Sequence, residues 1–172
     1  MTAMPPARPY RGYWGMGVFH TKTSENIGTL LRSAHSFGAD FVFTVGRRYS
    51  QQASDTTKAW RHMPVFHFAD IDSLMESLPF ACPLVGVELA EKSVRLTEYE
   101  HKERAVYLLG AEDHGLPPEV IERCHEIVQI PGPSHCLNVA VAGSIVMYDR
   151  FTKNVRLTAD AQARPDHEGG RE

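Results

Sequence analysis

The apolar and polar positions of the chain predict strands and helices that alternate along the sequence. Apolar runs without polar alternation are typical of strands that are covered on both faces of a sheet, and such runs occur at residues 16–20, 41–45, 83–89, 105–109 and 126–130. Apolar residues at helical spacing predict helices within residues 21–38, at residues 71–78 and 119–124, and from residue 138 onward. We therefore expect an α/β domain of five or six strands in a mostly parallel sheet flanked by helices.

The first helix is the most clearly marked of these elements. Its apolar positions fall on one face, Thr23 or Ser24 can cap its start, and Gly38 suits a left-handed stop. Arg32 lies about 100° of helical rotation from Leu31, on the polar side. A solvated surface arginine and a functional arginine both fit that position.

Two further polar positions stand next to predicted apolar elements. Glu112 follows the strand at residues 105–109, where a carboxylate needs partners; local backbone N–H groups in a turn are one source of them. Asn138 stands at the start of the last helix, behind Ser134, His135 and Cys136. It is either a helix cap or part of a site, because backbone donors are unpaired there.

Length and composition predict one soluble domain at residues 12–155, with a flexible arm at residues 1–11 and a disordered tail at residues 156–172. The 172 residues are 42% hydrophobic and 23% charged, and the net charge is −3, which argues against nucleic-acid binding by bulk charge. The polar segment after the second strand is either a local basic patch that contacts phosphates or an ordinary surface loop. The basic residues of this segment are Arg47, Arg48, Lys58 and Arg61.

Other classes of protein are not favoured by the sequence. Three widely spaced cysteines make a disulfide framework unexpected and favour a cytoplasmic location. The nine histidines show no metal-ligand spacing, so we expect no metal. No apolar run approaches the ~20 residues that span a membrane, and residues 1–11 do not form a signal peptide. The segment at residues 110–116 lacks the Lys-Ser/Thr of a phosphate-binding Walker loop.

Three segments, in order and spacing, resemble the signature motifs of the SpoU/TrmH family of RNA methyltransferases, within the SPOUT superfamily. The first contains Asn26, Gly28 and Arg32, the second runs from Leu109 through Glu112 to Pro117, and the third runs from Ile130 to Val139. The resemblance covers about residues 14–153. It implies a C-terminal trefoil knot, a homodimer and S-adenosylmethionine as methyl donor, which leaves as S-adenosylhomocysteine.

The resemblance also implies the site. Arg32, Asn26, Glu112 and Asn138 match the catalytic positions of the three motifs. The adenosyl pocket would be lined by residues from three segments: Leu89, Gly110, Ala111, Gly115, Ile130, Pro131, Cys136 and Leu137. Because arginine keeps its proton near neutral pH, we favour Arg32 as an electrostatic stabiliser or a phosphate clamp over a literal base.

The implied reaction is methyl transfer to a ribose 2′-oxygen of RNA, and we expect tRNA rather than rRNA because no added RNA-binding domain is visible in the chain. The third motif departs from the family where Cys136 and Ala140 replace serines, and its loop is about two residues shorter. A packed thiol fits Cys136 better than a methyl-accepting nucleophile. These departures leave open a non-catalytic member that binds RNA or an adenosyl ligand, and the net charge leaves open a small-molecule methyltransferase.

Overall fold

A seven-stranded parallel sheet forms the centre of the protein in the computed structural model, which describes residues 12–48, 59–111, 113–133 and 137–154. All of the strand pairings in this part of the chain are parallel, and the strand order is β3-β2-β1-β6-β4-β7-β5. The strands are β1 (Tyr13–Phe19), β2 (Phe41–Val45), β3 (Val65–Phe68), β4 (Leu84–Val87), β5 (Val94–Arg95), β6 (Arg104–Leu109) and β7 (Glu126–Gln129).

Helices cover both faces of this sheet. They are α1 (Ser24–Phe37), α2 (Ile71–Glu76), α3 (Pro118–Arg123) and α4 (Val139–Asn154), with short 3₁₀ turns at Ala59–Arg61 and Leu96–Glu98. Leu30 of α1 and Met147 of α4 belong to one buried cluster, whereas Leu74 of α2 and Val120 of α3 belong to the other. Successive strand residues alternate between the two clusters, so the predicted α/β class with a buried parallel sheet is confirmed.

The expected strand count was wrong by one or two, because β3 and β5 had not been predicted. Strand β5 has two residues, both exposed, and therefore leaves no apolar run in the sequence. Strand β3 is an edge strand whose Phe66 is 45% exposed. The predicted arm at residues 1–11 and tail at residues 156–172 lie outside the described residues.

The second half of α4 is held to the sheet by a buried polar cluster. The guanidinium group of Arg150 donates to the backbone carbonyls of residues 102 and 103 at 2.6 and 2.9 Å, and to the Tyr107 hydroxyl at 3.1 Å. His101 bonds the same hydroxyl at 2.6 Å and the Asp149 carboxylate at 2.9 Å. Burial lowers the pKa of His101 to about 4, despite the opposing effect of Asp149. The ring is therefore neutral near pH 7.

Candidate active site at the carboxyl edge of the sheet

Four neighbouring strands, β1, β6, β4 and β7, end side by side at one edge of the sheet because they run parallel. Ligands of open parallel sheets bind beyond this edge. The segments that leave it are residues 20–23 after β1, 88–93 after β4, 110–117 after β6 and 130–138 after β7. All three motif segments found in the sequence therefore begin at or beside the same edge.

Asn138 links two of these segments. Its side-chain oxygen accepts the N–H groups of Ala140 and Val141 at 2.9 and 3.3 Å, which makes it the cap of α4. Its side-chain nitrogen donates to the side-chain oxygen of Asn26 at 3.0 Å. Because Asn26 lies in the first turn of α1, this hydrogen bond joins the starts of the two helices.

Arg32 lies on the exposed side of α1, as its helical position predicted, while the adjacent Leu31 is fully buried. It stands six residues after Asn26, which is about 9 Å along the helix axis. The remaining predicted catalytic side chain, Glu112, lies outside the described residues, as does the predicted pocket residue Cys136.

The segment after β6 folds back on itself in a tight turn that needs two glycines. Ala111 and Gly115 exchange backbone hydrogen bonds of 3.2 and 3.0 Å. Gly115 has a φ of +62°, and a Cβ at Gly110 would lie 2.3 Å from the carbonyl carbon of Gly115. Only glycine tolerates both the left-handed backbone and the close approach. The two glycines therefore allow the chain to reverse direction close to this edge.

Glu88, which the sequence analysis did not single out, binds this turn from the neighbouring strand. Its carboxylate accepts the Leu116 N–H at 2.6 Å and the Leu89 N–H at 2.9 Å. The signal was present in the sequence, since Glu88 is a carboxylate within the predicted apolar strand at residues 83–89. The requirement that a partly buried carboxylate finds partners applies to Glu88 as it does to Glu112.

Lys22 and Asp113 form an ion pair between two of the segments at this edge. Lys22 follows β1 and Asp113 follows β6, and both side chains are about half exposed, at 54% and 49%. The hydrogen bond and charge of Lys22 hold the pKa of Asp113 below its usual value. Arg47, after β2, donates to the backbone carbonyl of Lys22 at 3.4 Å. The sequence analysis had assigned no role to Lys22 or Asp113.

The remaining predicted pocket residues lie in the segments that leave this edge. Leu89 and Leu137 are 43% and 46% exposed, although both are apolar. Ile130 packs partly buried against the core, and Pro131 is exposed. The described members of the predicted adenosyl pocket are therefore on the segments after β4, β6 and β7.

The predicted basic patch is divided between the two edges of the sheet in the described part of the chain. Arg47 and Arg48 are exposed and follow β2 at the carboxyl edge. Arg61 lies before β3, toward the opposite edge, where its guanidinium group stacks over Trp60 at 5.1 Å. Lys58 lies outside the described residues.

Among the described residues, no three His, Cys, Asp or Glu side chains are close enough to hold a metal ion. In the same part of the chain, no helix combines the length and the apolar character needed to cross a bilayer.

Known proteins share both the sequence pattern and the fold. Residues 16–148 match the model of the SpoU rRNA Methylase family. A Staphylococcus saprophyticus protein whose name assigns it to the TrmH family of tRNA/rRNA methyltransferases is 32% identical over 135 residues, covering 74% of this chain and 54% of that protein. The chain thus spans about half the length of this relative.

Solved structures share the fold at lower sequence identity. The SpoU methyltransferase AviRb of Streptomyces viridochromogenes, in complex with S-adenosylmethionine, has a TM-score of 0.72 and 21% identity over 86% of this chain and 59% of its own. A structure described as giving insight into 2-OH methylation of C/U34 on tRNA has a TM-score of 0.73 and 22% identity, over 85% of this chain and 97% of its own.

Proposed function

The chain belongs to the SpoU rRNA Methylase family, and from this we propose that it transfers a methyl group from S-adenosylmethionine to a ribose 2′-oxygen of RNA. The observation that carries the proposal is the Asn26–Asn138 hydrogen bond of 3.0 Å. It joins the first and third motif segments at the edge where the second motif segment also begins.

The described residues of the edge fit an adenosyl ligand. Leu89 and Leu137 supply exposed apolar surface beside the tight turn that contains Gly110 and Gly115. Pockets for such ligands combine apolar walls with a few placed polar groups. When bound, S-adenosylmethionine supplies a methyl group activated by its positively charged sulfur. We propose Leu89, Gly110, Ala111, Gly115, Ile130, Pro131, Cys136 and Leu137 as its contacts.

We propose that Arg32 acts on the acceptor side of the reaction. A ribose hydroxyl is a poor nucleophile, so transfer requires that its oxygen be aligned and its developing negative charge be stabilised. Guanidinium keeps its charge at neutral pH and therefore serves as an electrostatic stabiliser or phosphate clamp. Asn26, Glu112 and Asn138 would orient this arrangement.

We propose RNA, and tRNA in particular, as the substrate. The exposed Arg47 and Arg48 at the same edge as Lys22 support a phosphate-binding surface next to the site. The tRNA preference is supported by the fold shared along 97% of the chain of the tRNA-related structure. Lys58 stays in the proposed RNA-binding set, and Arg61, toward the opposite edge of the sheet, would contact RNA away from the site. The described cysteines, Cys82 and Cys124, are free thiols, which supports the proposed cytoplasmic location.

We also propose that the protein acts as a homodimer. Val141, Ile145 and Tyr148 are 48%, 36% and 59% exposed and share one side of α4. With Thr29 and Phe37 of α1 they border an apolar hollow of about 310 Å³. A second copy of the chain packed on this surface would lie close to the starts of α1 and α4, and thus to the proposed site.

The proposed trefoil knot is supported by the order of the strands. Strand β7 pairs between β4 and β5, which both precede it in the chain. Helix α4 then runs against the segment that follows β5, where the Lys153 ammonium group donates to the carbonyls of Leu96, Thr97 and Tyr99 at 2.6 to 3.2 Å. Passage of the C-terminal part through that segment is consistent with both contacts.

Labelled S-adenosylmethionine, purified protein, and tRNA and rRNA substrates test the proposal. We expect label in RNA, and nucleoside analysis by mass spectrometry should find it on ribose. Arg32→Ala should reduce transfer strongly, whereas Arg123→Ala, which removes an exposed arginine paired with Asp72 at 2.7 Å on α3, should leave it unchanged. Label on a base contradicts the ribose assignment, and equal activity of the two variants contradicts the role of Arg32.

The alternative functions give different results in the same experiment. A non-catalytic member binds S-adenosylhomocysteine and RNA but transfers no label. A small-molecule methyltransferase binds the donor and leaves RNA unlabelled, yet transfers label to low-molecular-weight compounds in a cell extract.

A further inference from the structure

We propose that Glu88 is a positioning residue that sets the shape of the donor pocket by holding the segment after β6 to the segment after β4. This inference rests on the proposed function, because it concerns the same pocket. Glu88 is assigned no contact with donor or RNA; it acts through the backbone of Leu116 and Leu89.

One side-chain hydrogen bond of Glu88 connects two segments that are distant in the chain, and the other fixes the carboxylate within its own segment. One oxygen accepts the N–H of Leu116 at 2.6 Å, and the other accepts the N–H of the adjacent Leu89 at 2.9 Å. Its own N–H donates to the carbonyl of Val128 at 2.9 Å, which continues the pairing of β4 with β7. Glu88 is thus fixed to β7 by its backbone and to the turn after β6 by its side chain.

The turn is shaped to receive this carboxylate. A Cβ at Gly115 would lie 2.2 Å from the Glu88 carboxylate oxygen Oε2, so that the carboxylate occupies the space that any side chain would take. Leu116, next in the chain, is 4% exposed and packs into the core on the α2–α3 face. The turn is therefore fixed at one end by core packing and at its backbone by Glu88.

Hydrogen bonds to a charged acceptor are stronger than those to a neutral one, and a buried donor that loses its acceptor carries a free-energy cost. Glutamine has nearly the same shape as glutamate but only one accepting oxygen, so one of the two N–H groups loses its partner. We expect the turn to loosen and the affinity for the adenosyl ligand to fall, while the RNA surface around Arg47 stays as it is.

Glu88→Gln and the control Glu91→Gln, which alters an exposed glutamate of the same segment, test this inference. Calorimetric titration with S-adenosylhomocysteine should show affinity weakened about tenfold in Glu88→Gln and unchanged in Glu91→Gln. RNA affinity, measured by filter binding, should stay within about twofold in both. In the ligand-free protein, hydrogen exchange at the Leu116 amide should accelerate about tenfold in Glu88→Gln alone.

The outcomes separate this inference from the proposed function. If the wild-type protein binds no S-adenosylhomocysteine, the proposed function fails and the positioning role fails with it. If the wild-type protein and Glu88→Gln bind it equally, only the positioning role is overturned. Equal losses of ligand and RNA affinity together with a lowered melting temperature indicate general destabilisation and also overturn it.

Discussion

Removal of the Asn138 side chain should lower stability through two kinds of hydrogen bond, the cap of α4 and the hydrogen bond that it shares with Asn26. The loss of a helix cap costs about 1 kcal/mol, and a hydrogen bond between two side chains contributes about 1 kcal/mol. Asn26→Ala should therefore lower the free energy of unfolding by about 1 kcal/mol, and Asn138→Ala should lower it by about 2 kcal/mol.

The double variant measures the coupling energy between the two side chains. Because the Asn26–Asn138 hydrogen bond at 3.0 Å can be lost only once, the double variant should cost about 2 kcal/mol rather than the sum of about 3 kcal/mol. The coupling energy is then about 1 kcal/mol. Asn138→Ser keeps a good cap and serves as the matched control, with an expected cost near that of Asn26→Ala.

Urea unfolding at one fixed protein concentration measures these values, since dimerisation would make stability depend on concentration. The same proteins should be assayed for methyl transfer, and both single alanine variants should lose activity while they remain folded. An additive double variant refutes the interaction between the two side chains. Full methyl transfer by Asn138→Ala refutes its place in the site and leaves it a helix cap alone.

Three further predictions concern the core and the proposed dimer surface. His101 has a folded-state pKa of about 4, against 6.5 for a free histidine, so the free energy of unfolding should fall by up to roughly 3 kcal/mol as the pH falls from about 6.5 to about 4. Unfolding of the wild type and of His101→Gln across this pH range measures the loss. The same pH dependence of stability in both proteins contradicts the prediction. Gly143→Val should cost about 2 kcal/mol in thermal unfolding, because even a Cβ there lies 2.4 Å from the Leu30 Cδ1 atom; an unchanged melting temperature contradicts this. Ile145→Asp should yield monomers in sedimentation velocity, whereas an unchanged sedimentation coefficient rules out this face as the interface.

The fold class could be predicted from the sequence because strands that are buried on both faces appear as apolar runs. Strands β2 and β6 are buried at nearly every position and were found within a residue of their bounds. Strand β5 is exposed at both of its positions and is defined only by its pairing with β7. Its existence depends on a neighbour that follows it in the chain by about 30 residues, which no local pattern encodes.

The candidate site could be predicted in part from the sequence, for a different reason. The motif resemblance carried Asn26, Arg32 and Asn138, and local chemistry identified the polar start of α4. The contacts of Glu88 with Leu116 and of Lys22 with Asp113 join residues 28 and 91 positions apart in the chain. Such pairings depend on which strands become neighbours, and the order β1-β6-β4-β7 cannot be derived from hydrophobic periodicity.

Asn138 shows how one side chain can cap a helix and also contact a second helix. Aspartate would cap α4 as well as asparagine does, and its charge would also interact favourably with the positive end of the helix. A carboxylate, however, has no hydrogen to offer to the side-chain oxygen of Asn26, which accepts from the Asn138 nitrogen. Asparagine is the capping residue that accepts from the helix through one atom and donates to a neighbour through another. The contact with α1 thus depends on the amide nitrogen of Asn138, whereas the cap of α4 depends on its oxygen.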